Sequence, residues 1–341
     1  MSSTQSLRRR RRTRRRVLLT VVVLAVVAVI AIIVGVGVTV STALQALGAT
    51  PPGVGTVIVA PQESKAAKAA AEGGLTPEQQ AAAEFLAAQP TAYWLTPELD
   101  PIGEAGPRIR ALAAEARAQD AALTVVVYGL PERDCSEIHS NGGLDDADYD
   151  RWTGEIGAAL ARVTDVQKIV VLEPDSLAQA PDCGNLDARV AQLREAVDRI
   201  AGADTWIYLD GGHSNWRPAQ EQAGLIGRVG LDKVRGFAVN VSNYNTTVDE
   251  FAYAHEIAGY LGGGHAIVDT SRNGAGPAGS EWCNPPGRLI GDPGGTYGDD
   301  VVDTNLWVKP PGESDGTCNG GPVAGAWWPA MSVELTREAI R

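Results

Sequence analysis

Short β-rich apolar runs recur along the second and later parts of the chain, at Tyr93–Leu95, Leu123–Tyr128, Lys168–Leu172, Thr205–Leu209, Val234–Val241, Ala266–Val268 and Leu306–Val308. Amphipathic stretches of helical period separate most of them. Such alternation predicts repeated βα units and a parallel sheet, either closed into a barrel or doubly wound. No Gly-x-Gly-x-x-Gly or phosphate-loop pattern follows any of the runs, which removes the main support for a nucleotide-binding sheet. The expected fold is therefore α/β, a distorted TIM-like (β/α) barrel of seven strands. Its first helix is predicted to start at Thr76-Pro77-Glu78-Gln79, with Thr76 as N-cap, Pro77 at the first helical position and Gln79 closing a capping box.

The N-terminal part has a different pattern. Val17 to Val40 is a run of 24 apolar or small residues with no charge, long enough as a helix to cross the roughly 30 Å of bilayer hydrocarbon. Eight arginines between Arg8 and Arg16 precede it and are expected to stay cytoplasmic. The run exceeds the apolar core of an ordinary cleavable signal, which favours an uncleaved anchor, while Ser41, Thr42, Ala43 and Ala46 keep cleavage and secretion open. Residues 41–75, rich in Ala, Gly, Pro and Thr, read as a flexible linker. The predicted organisation is a basic cytoplasmic tail over 1–16, a transmembrane signal-anchor or signal peptide over 17–40, that linker, and a catalytic domain over 76–341.

Charge narrows the choice of partner. The formal net charge is −12, yet beyond the arginine run 21 basic residues face 41 acidic ones. A body so acidic repels phosphate backbones, which excludes nucleic acid and suits a neutral substrate met outside the cell. Cys135, Cys183, Cys283 and Cys318 all follow the apolar run, where thiols are oxidised, so two disulfides are expected, with three possible connectivities. Zinc is excluded by spacing, since no cysteine pair is close in sequence and no histidine adjoins one. Asp146, Asp148 and Asp150 alternate like a calcium loop, but Arg151 and Gly157 stand where such a loop needs glycine and glutamate. These are helix-start acids. No metal or cofactor is expected.

The candidate chemistry lies where the strands end, because in a parallel barrel those ends face the active site. The second run leads into Tyr128-Gly129-Leu130-Pro131-Glu132-Arg133-Asp134-Cys135, the third into Glu173-Pro174-Asp175, and the fourth into Asp210-Gly211-Gly212-His213. The sixth leads into Asp269-Thr270-Ser271-Arg272-Asn273, and the last into Lys309 through Glu313-Ser314-Asp315-Gly316. One such acid could merely cap a helix. Acids recurring round one rim push each other's pKa values apart, leaving one carboxyl protonated and another ionised near neutral pH. Glycoside hydrolysis needs that division.

These blocks, with Asn240-Val241-Ser242-Asn243-Tyr244 between the fourth and sixth, resemble the glycoside hydrolase family 6 cellulases, the endoglucanases and cellobiohydrolases that act on β-1,4-glucan. The resemblance covers about residues 90–330. It implies that Asp175 is the general acid, that Asp134 keeps the proton on Asp175 by like-charge repulsion, and that Asp315 is a base or charge stabiliser. Which of Asp134 and Asp315 activates the water stays open. The family is similar to inverting enzymes, for which carboxyl separations of about 6.5–9.5 Å are expected. The resemblance further implies sugar contacts at Tyr128, Ser140, Asp210, His213, Asn243, Lys309 and Glu313, and stacking at Trp94, Trp216, Trp282 and Trp307. It pairs the cysteines as Cys135–Cys183 and Cys283–Cys318.

Two departures shape the expected function. The segments after Asp175 and between Cys283 and Cys318 are short, with no room for loops that roof a tunnel, so an open cleft and endo attack are expected. A membrane segment stands in place of a cellulose-binding module. The reading is an inverting endo-β-1,4-glucanase, expected to be monomeric and held at the outer face of the plasma membrane or secreted. The alternatives are a barrel that binds glycans without cutting them and a hydrolase of an envelope polysaccharide.

Overall fold

Seven parallel strands account for the apolar runs: β1 Tyr93–Leu95, β2 Leu123–Val127, β3 Lys168–Leu172, β4 Thr205–Asp210, β5 Gly236–Val239, β6 His265–Asp269 and β7 Val302–Leu306. They hydrogen-bond in strict sequence order, β1 through β7. This computed structural model describes residues 49–136 and 142–340, together with Val27. The predicted tail, nearly all of the predicted membrane segment, and Ser140 lie outside the described residues. Among those described, no helix is long and apolar enough to cross a membrane.

Side-chain alternation divides the strands between two cores. Val125, Val127, Val170, Leu172, Ile207, Leu209, Phe237, Val239 and Val268 point to one face and pack with the helices. Val126, Tyr128, Ile169, Val171, Tyr208, Ala238, Ile267, Leu306 and Val308 form a second cluster on the other face. One cluster drawing on strands from both ends of the sheet requires the sheet to curl round it. The helices that cover the outside are α3 Ala105–Gln119, α4 Asp146–Leu160, α5 Ser176–Cys183, α6 Leu186–Ile200, α7 Ala219–Val229 and α8 Thr247–Leu261; α1 Lys65–Glu72 and α2 Pro77–Ala87 precede the sheet, and α9 Pro329–Thr336 follows it.

The sheet curls into a half-barrel, which corrects the expectation of a closed barrel. Among the described residues β1 and β7 form no ladder. Across their seam run a bond from Ala92 N to the Trp307 carbonyl (2.9 Å) and another from the Trp94 indole to the Val308 carbonyl (2.9 Å).

Strand β7 begins earlier than its apolar signature suggests, because Asp303, Thr304 and Asn305 mask it. Their polar atoms are nonetheless paired. Arg235 donates to both Asp303 oxygens at 2.8 and 2.9 Å, the Tyr208 hydroxyl donates to Asp303 at 2.5 Å, and Asn305 Oδ1 accepts from the Thr296 and Tyr297 amides.

The linker expectation also needs correction from Thr50 onward, where the compact unit begins. Ile58 and Val59 are buried, and residues 57–59 pair with Ala122, at 2.8 Å to the Val57 carbonyl and 3.0 Å from Val59 N. The alanines read as tether are helix formers. Ser64 caps α1 by accepting from Ala67 N at 3.2 Å. At α2 the predicted capping box is present, with Thr76 Oγ1 accepting from Gln79 N and Thr76 N donating to Gln79 Oε1. Asp146 and Asp148 lie in the first turn of α4, capped by Asp145.

Candidate active site

The end of β3 is built around a buried acid. Glu173, 1% exposed, accepts from Gly129 N at 3.0 Å, Leu130 N at 3.3 Å and the Tyr149 hydroxyl at 3.0 Å, which ties the loop after β2 to that after β3. Burial pushes its carboxyl up to about 7 despite those donors. Glu173 and Asp175 both take left-handed backbone conformations, with φ of 52° and 67°. Non-glycine residues hold that conformation at a cost of about 1–3 kcal/mol, and such costs cluster at functional sites. The turn leaves Asp175 at the head of α5, where its N–H donates to Asp210 Oδ1 at 3.1 Å.

Asp134 approaches from β2. It and Cys135 also have left-handed backbones, φ 53° and 56°, and the Tyr128 hydroxyl donates to Asp134 Oδ2 at 2.7 Å. The Arg133 guanidinium covers the Tyr128 ring at 4.4 Å, and Trp94 meets that ring edge-on at 5.3 Å. Cys135 is bonded to Cys183, the last residue of α5. This disulfide joins the loop carrying Asp134 to the helix that opens at Asp175.

On the β6–β7 side the acids are clamped. Asp269 accepts from Ser271 N, Val308 N, Lys309 N and Ser242 N at 2.9–3.1 Å, so one carboxylate holds the ends of three loops. Asp315, 9% exposed, accepts from Arg272 Nη1 at 2.9 and 3.1 Å, the Tyr244 hydroxyl at 3.0 Å and Asn284 N at 3.1 Å. Asn284 Oδ1 in turn accepts from Asp315 N at 2.8 Å. Cys283–Cys318 staples the loop bearing Asn284 to the one bearing Asp315.

Asp175 keeps a partly exposed edge. Its carboxyl is held well above the ordinary carboxylate range, first by burial, then by repulsion from Asp210, Asp134 and Asp315, with the Lys309 ammonium opposing. Asp210 is pushed up by burial, against donors from Gly212 N and Asp175 N. Lys309 is buried beside Asp315 and Glu313, and burial lowers its ammonium; its Nζ lies 5.1 Å from the centre of the Trp94 ring. A protonated carboxyl facing several carboxylates can donate a proton to a leaving oxygen and stabilise positive charge beside it.

The structure thus joins most of the sequence-predicted residues. Asp134, Asp175, Asp210, Asp315, Tyr128, Trp94, Lys309 and Glu313 form one connected group. His213 and Trp216 pair alongside at 5.5 Å, and burial pushes the His213 imidazole down to about 4. Asn243 uses its amide locally, donating to the Val241 carbonyl. Trp282 is 48% exposed, next to a disulfide. Trp307 departs from its expected stacking role: it is 3% exposed, donates to the Asp292 carbonyl and packs with Ala66 and Leu86. Sequence reasoning assigns no role to Arg272, Tyr244 or Asn284. The first two stand inside the motif blocks, where a buried aspartate's need for donors is the available signal.

Comparison with known proteins agrees with this architecture. A family model described as "Glycosyl hydrolases family 6" matches residues 54–339. Endoglucanase A of Cellulomonas fimi is 40% identical over 257 residues, covering 75% of this chain and 56% of that protein. Endoglucanase A of Thermobispora bispora is 35% identical over 91% of this chain and 68% of its own length. Among solved structures, the endoglucanase Cel6 of Mycobacterium tuberculosis, in complex with a methyl-cellobiosyl-4-deoxy-4-thio-β-D-cellobioside, superposes with a TM-score of 0.77 at 34% identity, covering 86% of this chain and all of that one.

Proposed function

We propose that this chain, which belongs to family 6 of the glycosyl hydrolases, is an inverting endo-β-1,4-glucanase with Asp175 as its general acid. The observation that carries the reading is the placing of Asp175 against Asp210, its N–H 3.1 Å from Asp210 Oδ1, with the Asp134 loop stapled beside it by Cys135–Cys183, a setting of like charges and burial that favours the protonated carboxyl. Asp175 gives its proton to the glycosidic oxygen as the bond to the anomeric carbon breaks. A water attacks the opposite face and passes its proton to a carboxylate. Asp315 already accepts four hydrogen bonds, which suits a fixed anion that stabilises charge developing on the sugar ring better than it suits a proton acceptor. Asp134, reached directly or through a second water, is then the base.

Endo attack is supported by the half-barrel and the short loops, and by the endoglucanases among the relatives. Tyr128, Trp94, Trp216, Trp282, Lys309 and Glu313 line the path of the glucan, with Asp210, His213 and Asn243 beside it. This unit acts outside the cell, either anchored at the membrane through the run 17–40 or secreted after cleavage of that run.

Proton NMR of the first product from a cello-oligosaccharide tests the stereochemistry, with the α-anomer expected and the β-anomer contrary to inversion. On soluble carboxymethyl-cellulose, viscosity should fall well ahead of reducing-end release. Reducing ends accumulating with little fall in viscosity would mean attack from chain ends.

A further inference from the structure

Glu313 is held by a residue from the far end of the folded chain. Lys65, in the first turn of α1, places Nζ 3.0 Å from Glu313 Oε2 across a sequence separation of 248 residues, and also donates to the Gly325 carbonyl. The pair is part-buried, with side chains 29% and 11% exposed. Ala66 packs with Leu86, Trp307 and Trp327, so α1 sits behind the loop that runs from Lys309 through Asp315 to Trp328. That loop folds on itself: Glu313 bridges Trp327, Ser314 N donates to the Ala326 carbonyl at 2.9 Å, and Trp328 N to the Gly312 carbonyl at 2.8 Å. Lys65 therefore grips both of its arms. Glu313 also faces Lys309, and Lys309 faces Trp94.

We propose that Lys65 is a positioning residue for glucan binding, fixing the Glu313 carboxylate at the orientation in which it accepts hydrogen bonds from hydroxyls of a glucose unit lying against Trp94 and Lys309. The proposal rests on the glucanase reading. A glutamate side chain that nothing holds has several rotamers, and a ligand that needs one of them loses affinity by the fraction of time the others are occupied. The ammonium selects one rotamer and leaves the reacting bond, at Asp175, untouched. Lys65 thus acts on binding and not on the chemical step.

The test compares Lys65→Met and Lys65→Arg in the full-length chain. Lys65→Met is expected to raise KM for cellotetraose about fivefold, the scale of one partly screened charge-assisted hydrogen bond, with kcat within about twofold. Lys65→Arg, which keeps the charge and donors, should recover most of the loss. Calorimetric binding of cellotetraose in an Asp175→Asn background should show the same fivefold weakening and rescue, with a melting midpoint within about 2 °C of the parent. Unchanged affinity in Lys65→Met, or an equal loss in Lys65→Arg, overturns the proposal while leaving the glucanase reading intact. A fall in kcat with KM unchanged does the same. A parent chain that neither binds nor cleaves cellotetraose overturns the glucanase reading, and the role of Lys65 with it.

Discussion

The two sides of the site hold their aspartates in opposite ways. On the β2–β3 side Asp175 is surrounded by other acids, and left-handed backbone at Asp134, Cys135, Glu173 and Asp175 stores conformational cost beneath it. On the β6–β7 side Asp315 rests in ordinary backbone against a fully buried guanidinium, a tyrosine hydroxyl and a backbone amide. One site has two electrostatic climates. On the proposed mechanism, the carboxyl that gives up a proton is the one kept among like charges, and the one that steadies charge is the one given matched donors.

The strongest way to break this contrast is to delete its acidic pole. Asp175→Ala should lower kcat on carboxymethyl-cellulose by about 10²–10⁴-fold, the usual worth of a general acid, and should do so with little change in KM. Equal activity of variant and parent would remove Asp175 from the chemistry. Next comes the opposite pole. Arg272→Met leaves Asp315 buried without its guanidinium and should cost about 3–5 kcal/mol of stability, read as the shift of a urea unfolding midpoint. A loss below about 1 kcal/mol, the scale of an exposed pair, would mean that the clamp is incidental.

A smaller change sharpens the acidic side. Tyr128→Phe removes only the hydroxyl bonded to Asp134 and should reduce kcat/KM by roughly tenfold. The finest test uses pH. Asp210 raises Asp175, so Asp210→Asn should let Asp175 lose its proton at lower pH. Activity needs the protonated acid, so the alkaline limb of the kcat/KM profile should move toward acid pH. An unmoved or alkaline-shifted limb would show that Asp210 acts on something else.

The two sides are unequally legible in the sequence. Apolar β-branched runs locate β2 and β3 closely, and with them the acids that follow, because a short, uncharged stretch of valines packs well only as a strand buried on both faces. Strand β7 is harder to place, since Asp303, Thr304 and Asn305 carry no apolar signal and the partners of Asp303, Arg235 and Tyr208, come from elsewhere in the chain. Long-range pairing of this kind is invisible to periodicity. The same holds in the site. Asp175 and Asp315 stand out in blocks of recognisable character, whereas the partners that make Asp315 what it is, Tyr244, Arg272 and Asn284, become meaningful only once three loops meet. Lys65 lies in a stretch whose composition reads as linker, and composition cannot tell a tether from an alanine-rich helix with a capped end.

The contact between Lys65 and Glu313 also bears on the order in which the molecule comes into being. Helix α1 is made early, and the carboxylate it grips is made almost at the end, so the bond closes one of the longest loops the chain contains. Contacts of such separation form late, after nearly all of the intervening chain is in place. A chain still threading out of the ribosome, or still crossing a membrane, has Asp134 and Asp175 available well before it has Asp315, Glu313 or their anchor. On the proposed mechanism full competence therefore arrives with the last few dozen residues, and a truncated or stalled chain carries Asp134 and Asp175 without Asp315, the anion proposed to steady charge on the sugar ring, and without Glu313.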